Sequence, residues 1–177
     1  MNSILSKYSP EIIAKASKIK ALVTDVDGVL TEGKITYDGN GLETKSFNVK
    51  DGLIVRHLRE AGIKVGLITG RNSTIVQKRA EELKFDFICQ GSRDKVEDYR
   101  DNISEYGLED SEVAYIGDDI NDLALMNLVG LSATPKDSPV YIQERVDLIS
   151  SENGGDGVFR EVADLILASQ DALEKLL

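Results

Sequence analysis

"ALVTDVDGVLTEG", Ala21 to Gly33, decides the fold of this chain. A short apolar run passes into two aspartates one residue apart, and a glycine follows. Such a run, bounded by a turn signal, reads as a buried strand. Two carboxylates cannot be hidden cheaply in an apolar layer. They belong at the carboxyl end of the strand, where open parallel sheets bind ligands.

Moving outward, five more short apolar runs follow: "KVGLIT", "FDFICQ", "VAYIGD", "GLSAT" and "DLIS". Helical patterns alternate with them: "DGLIVRHLREAG", "NSTIVQKRAEEL", "KVEDYRDNISEYG", "INDLALMNLV" and "GVFREVADLILASQDALEKLL". Buried-looking strands alternating with helices predict an α/β fold with a parallel sheet. Near the start, Ser9, Pro10 and Glu11 give the cap, first-turn proline and early acid of a short helix. One segment breaks the alternation. Residues 33–49, "GKITYDGNGLETKSFNV", place two alternating runs around "DGNG", which predicts a β-hairpin. The hairpin is expected to cover a site or to pair with another subunit.

With 177 residues, 41% hydrophobic and 29% charged, the chain is expected to form one globular domain over residues 1–177. Its net charge of -10, from 31 acids and 21 bases, argues against a nucleic-acid partner. A local basic pocket for a small anion remains compatible with it. The one cysteine, Cys89, excludes an internal disulfide and fits a buried, inert thiol. The one histidine, His57, reads as a helix-surface residue. No apolar run is long enough to span a bilayer, and Lys and Glu interrupt the first 20 residues. The cytoplasm, a reducing compartment, is the expected location.

Four strands end in groups suited to one chemistry. The first ends in Asp25 and Asp27, the second in Thr69, Gly70 and Arg71. Lys95 follows the third, and Asp118, Asp119 and Asp122 follow the fourth. Clustered carboxylates repel one another unless a cation neutralises them, and hard oxygen ligands suit Mg²⁺. Thr and Lys are donors for phosphate oxygens. One aspartate can attack phosphorus, and a second, two residues on, can move the proton. Taken singly, each motif is also an ordinary turn, helix cap or solvated lysine. Together, in chain order, they predict a phosphoryl-transfer site.

The constellation of "DVDGV", "LITGR", Lys95 and "GDDINDLAL" resembles the haloacid dehalogenase superfamily of phosphotransferases. More narrowly, "FNVKDG", "LITGRNS" and "GGDGVFREV" resemble the family of phosphatases acting on 3-deoxy-D-manno-octulosonate (KDO) 8-phosphate. The resemblance spans nearly the whole chain. It implies a Rossmann-like parallel sheet with helices on both faces, a hairpin flap and no large cap domain. It implies Asp25 as nucleophile and Mg²⁺ ligand, and Asp27 as acid/base with its backbone carbonyl on the metal. Asp118 is the remaining protein ligand, with Asp119 and Asp122 supporting the loop. Thr69 and Lys95 hold the phosphate. Substrate contacts are implied for Asp27, Lys95, Asn48, Val49, Lys50, Asp51, Gly52, Arg56, Arg71 and Arg79. An arginine fork suits a sugar-acid carboxylate; Arg56 and Arg79 equally fit solvated helix positions. Members often carry a basic residue where this chain has Asp156, so no substrate contact is carried over to that loop. The resemblance also implies a homotetramer in which hairpins meet and neighbours help to close each site, with a C-terminal helix and tail over about residues 157–177.

Three other readings stay open from sequence. One is a phosphatase for a nine-carbon keto-sugar-acid 9-phosphate, whose relatives tend to lose the arginine after "TG"; Arg71 is present here. Another is a phospho-accepting signalling domain, which needs no acid/base at Asp27. The third is an idle assembly domain, for which such costly buried charges have no use.

Overall fold

The computed structural model describes residues 2–176. In chain order, α1 (Asn2–Leu5) and α2 (Pro10–Ala16) lead into β1 (Ala21–Thr24). A small hairpin of β2 (Thr36–Tyr37) and β3 (Glu43–Thr44) follows, then α3 (Val49–Glu60) and β4 (Lys64–Thr69). Next come α4 (Thr74–Leu83), β5 (Phe87–Gln90), α5 (Lys95–Glu105) and β6 (Val113–Ile116). The chain continues through α6 (Leu123–Met126), β7 (Leu131–Thr134), α7 (Val140–Gln143), β8 (Leu148–Ile149) and α8 (Val158–Ser169).

Six strands form one sheet in the order β5-β4-β1-β6-β7-β8, and every pairing is parallel. β1 lies between β4 and β6, with Thr24 opposite Leu67 on one side and Ile116 on the other. Side chains alternate across the sheet, as strand geometry requires. Leu22, Leu67 and Ile116 join the core built with Ile54 and Leu58 of α3 and Val162 and Ile166 of α8. Val23, Ile68 and Tyr115 face the opposite layer, with Tyr99 and Ile103 of α5 and Leu125 of α6. The sheet is thus covered on both faces, which explains its unbroken apolar strands. Truncating a fully buried leucine such as Leu58 to alanine would cost about 2–5 kcal/mol.

The six strands and the longer helices come in the order expected from sequence, and the short helices α1 and α7 are additions to it. Ser9 caps α2 as read, accepting the Ile12 N–H at 3.3 Å with Pro10 in the first turn. Three details differ. The hairpin strands are only two residues each. Its connection is tied by Asp38, whose carboxylate accepts the N–H groups of Asn40 and Leu42, both at 2.8 Å. The segment from Ile120 starts as a 3-10 turn, Ile120–Asp122, before α6 begins. The last helix stops at Ser169 instead of running on. Asp171 is left-handed (φ 54°), and Gln170 is held by the carbonyls of Ala16 and Ile19, which turns the chain back onto α2.

Candidate active site

Asp25 sits one residue beyond β1, nearly buried. Its Oδ1 accepts the Val26 N–H at 2.7 Å, and its Oδ2 lies 3.0 Å from Lys95 Nζ. Lys95 is the first residue of α5, behind the Asp94 cap, and is itself buried. Its ammonium also donates to Asp122 Oδ1 at 2.6 Å and to the Tyr115 hydroxyl at 3.4 Å. Asp122 is wholly buried and fully used. Oδ1 also accepts the Tyr115 O–H at 2.5 Å, and Oδ2 accepts the N–H groups of Asp118 and Asp119 at 3.1 and 3.2 Å. Tyr115 and Asp122 therefore fix the direction in which Lys95 points.

Asp118 follows β6 and comes within reach of Asp25 because Gly28 gives it room. Gly28 adopts φ +90°, and a Cβ there would sit 2.0 Å from Asp118 Oδ2. Oxygens of Asp25, Asp118 and Asp122 all fall within 4.8 Å of one another. Burial pushes Asp25 up to about 6 despite the Lys95 ammonium, with the Asp122 charge adding to the rise. Burial and the charges of Asp25, Asp122 and Asp119 push Asp118 up to about 8. Such crowding calls for a cation. Each oxygen of Asp122 already accepts two protein donors, whereas each oxygen of Asp25 meets one, so the carboxylates with capacity left for a cation are those of Asp25 and Asp118. These hard oxygens fit Mg²⁺. The backbone carbonyl of Asp27 accepts no hydrogen bond among the described residues, so it is available as a third oxygen.

The side chain of Asp27 faces the hairpin. It forms an ion pair with Lys45, and its Oδ2 lies 3.5 Å from Arg71 Nε. The Lys45 side chain is 1% exposed, although it leaves from an otherwise exposed strand end. Arg71 Nη2 donates to Glu43 Oε1 at 2.6 Å, and the Ser73 hydroxyl donates to Glu43 Oε2 at 2.9 Å. Thr69 ends β4, the strand next to β1, and is buried, with its carbonyl accepting the Ser92 N–H at 3.1 Å. Asp119 caps the 3-10 turn, accepting the Ile120 N–H at 2.7 Å.

The remaining expected contact residues pair with groups other than Asp25, Asp27 and Asp118. Asn48 caps α3 through Lys50 N and donates to the Gly155 carbonyl at 3.2 Å. Val49 and Lys50 are exposed, and Asp51 and Gly52 are buried. Asp51 Oδ1 accepts the Arg160 N–H at the start of α8, at 2.8 Å, and its Oδ2 is buried without a partner. Burial pushes Asp51 up to about 6. Arg56 points to solvent and pairs with Glu60; Arg79 lies over Gly52 and pairs with Glu82. Within one chain, neither Arg56 nor Arg79 forms an ion pair with the Asp25, Asp27 and Asp118 group. Asp156 is exposed, and its loop supports the site by backbone packing: a Cβ at Gly154 would lie 2.1 Å from the Gly28 carbonyl oxygen. Lys45 and Glu43 were not singled out from sequence. Their alternation within the hairpin, both on one face, was the available signal.

The profile of the haloacid dehalogenase-like hydrolases matches residues 42–130. The 3-deoxy-D-manno-octulosonate 8-phosphate phosphatase KdsC of Haemophilus influenzae is 40% identical over 156 residues, 88% of this chain and 87% of that protein. The enzyme of the same name from Escherichia coli K12 is 38% identical over 98% of this chain and 94% of its own length. A crystal structure of this phosphatase from Moraxella catarrhalis, with magnesium, phosphate and KDO, superposes with a TM-score of 0.92 at 38% identity, covering 96% of this chain and 97% of that one. The chain belongs to the haloacid dehalogenase-like hydrolases, and within them to the family that these phosphatases form.

Proposed function

We propose that this chain is a Mg²⁺-dependent phosphatase that hydrolyses 3-deoxy-D-manno-octulosonate 8-phosphate to KDO and phosphate, a step in making lipopolysaccharide precursor. The observation that carries this reading is the buried Asp25–Lys95–Asp122 array beside Asp118, in a chain so similar to phosphatases of that name. The Moraxella relative binds magnesium, phosphate and KDO, the cofactor and products this reading requires.

The chain's own residues divide the work. Lys95 and Thr69 hold the phosphoryl oxygens, and Lys95 keeps Asp25 aimed. An Asp25 carboxylate oxygen attacks phosphorus, and the bond from phosphorus to the sugar oxygen breaks. Asp27, which enters this step in its acid form, gives its proton to that departing oxygen. Asp27 then takes a proton from water as the water oxygen attacks the aspartyl-phosphate, which frees phosphate and restores Asp25. Asp25, Asp118 and the Asp27 carbonyl would hold Mg²⁺, which supplies positive charge against the phosphate and the carboxylates. Arg71, beside Asp27, is placed for the sugar acid.

A homotetramer joined through the hairpins is part of the same reading. Tyr37 and Leu42 are 60% and 66% exposed, and Ile35, Val49 and Leu53 are exposed near them in sequence. A hairpin with two-residue strands is marginal alone and gains from a partner. Arg56 and Arg79, which form no ion pair with Asp25, Asp27 or Asp118 of their own chain, would then serve a neighbour's site. The cytoplasm fits a chain whose one cysteine forms no internal disulfide, and among the described residues no helix is long and apolar enough to cross a membrane.

Phosphate release from a panel of sugar-acid phosphates, with Mg²⁺ and with EDTA, tests the proposal. Mg²⁺-dependent release, best from KDO 8-phosphate, is expected. Full activity in excess chelator, or preference for a nine-carbon 9-phosphate, overturns it.

A further inference from the structure

Glu43 reaches the mouth of the site from the end of the hairpin. Its two carboxylate oxygens are divided between two partners on the loop after β4: Oε1 on Arg71 Nη2 at 2.6 Å, Oε2 on the Ser73 hydroxyl at 2.9 Å. Its side chain is only 16% exposed, on a hairpin whose neighbouring residues face solvent. Lys45 Nζ lies 3.6 Å away and pairs in turn with Asp27. Arg71 is therefore held from two sides, by Glu43 at one terminal nitrogen and by Asp27 at Nε.

We propose that Glu43 is a positioning residue that aims Arg71 at the substrate and so sets the preference for phosphates that carry a carboxylate. The inference rests on the sugar-acid phosphate reading of the site. An isolated surface ion pair is worth little, because both side chains pay entropy to meet. Here the entropy matters for function. A free arginine samples many rotamers, and its planar fork recognises a carboxylate only when it is oriented. Glu43 takes one of its donors, Asp27 lies beside another, and the Tyr37 side chain adjoins the same guanidinium, which restricts the orientations of the fork.

The test compares wild type, Glu43→Gln, Arg71→Gln and the double variant, each on KDO 8-phosphate and on p-nitrophenyl phosphate, which has no carboxylate. Glu43→Gln is expected to raise KM for the sugar acid about tenfold, the worth of one charge-assisted hydrogen bond. Its loss in kcat/KM should be at least about fivefold larger on the sugar acid than on p-nitrophenyl phosphate. In the Arg71→Gln background the same change should add less than about twofold, because Glu43 acts through Arg71. Equal losses on both substrates, additive losses in the double variant, or a lowered KM would each overturn the inference. A lowered KM would mean that Glu43 competes for Arg71. A second readout needs no substrate: the Arg71 Nε–Hε heteronuclear NOE should report an ordered group in wild type and a mobile one in Glu43→Gln. An ordered group in both overturns the positioning role whichever phosphate the enzyme takes. A wild type inactive on KDO 8-phosphate, with the NOE contrast intact, overturns the substrate reading alone.

Discussion

The carboxylate of Asp51 accepts the backbone N–H of Arg160 at 2.8 Å, joining the start of α3 to the start of α8 across 109 residues. The contact supplies a tertiary cap to a helix whose own cap position, Gly157, has no side chain to offer. It also confines a carboxylate with one unpartnered oxygen. Burial raises its folded-state value from 3.8 to about 6. Between those values the folded protein binds the extra proton, so stability falls as pH rises from about 4 to about 6 and is level above. Asp51→Asn should reduce the difference in stability between pH 4 and pH 7 by on the order of 2–3 kcal/mol. Urea titrations at the two pH values would show it; an unchanged difference would count against the buried charge.

The two aspartates of the β1 loop should separate by mutation. Asp25→Asn should abolish turnover, because an amide is a poor nucleophile and one anionic oxygen is lost. Asp27→Asn should slow turnover by roughly 10²–10⁴-fold, the worth of a positioned acid/base. Its Mg²⁺ affinity should stay near wild type, since the backbone carbonyl is unaltered. Calorimetry and steady-state rates decide the matter, and wild-type turnover by Asp27→Asn would leave the pair unexplained.

Gly28→Ala tests the closeness of Asp118. The added Cβ would enter the space of Asp118 Oδ2, and φ +90° disfavours any side chain. The strain should cost about 1–2 kcal/mol of stability, and the displaced carboxylate should weaken Mg²⁺ binding. Mg²⁺ titration followed by calorimetry measures the second effect apart from the first. Unchanged affinity would show that Asp118 has room to spare.

Replacing Ile35 and Leu42 together by Asp should break the assembly proposed through the hairpins. Both side chains are largely exposed in the single chain, so its fold should survive. Light scattering should report smaller particles than wild type, and kcat/KM should fall if neighbours help to close the site. A wild type that already scatters as a monomer with full activity would remove the tetramer from the proposal.

The strands were legible because each carries its own short-range signal: an apolar run closed by Asp25, Thr69 or Gly117. Chain order then placed Lys95 and Asp118 at the same sheet edge. Other features depend on contacts between distant segments, to which local pattern is blind. The alternation of residues 33–49 revealed a hairpin. It did not reveal that Lys45 would be buried against Asp27 or that Glu43 would grip Arg71. Asp51, three residues after the Asn48 cap, is open to a ligand by local pattern, and only the arrival of α8 buries it. The stop at Ser169 follows from the hold of Ala16 and Ile19 on Gln170, a contact spanning most of the chain.

Gly154 and Gly155 lie against the backbone of Gly28 and Thr31, and the Gly155 N–H donates to the Val29 carbonyl at 2.9 Å. The loop that bears Asp25 and Asp27 is therefore braced by residues made long after it. On a ribosome, synthesis proceeds at about 5–20 residues per second. For several seconds the nascent chain would hold both aspartates with nothing behind them. Chains stalled before residue 154 emerges should release no phosphate, and chains stalled well past residue 169 should. Equal activity from both would show that the brace is dispensable. By this geometry, catalytic competence would arrive late in biosynthesis, with the translation of a glycine pair and of the helix α8 that follows it.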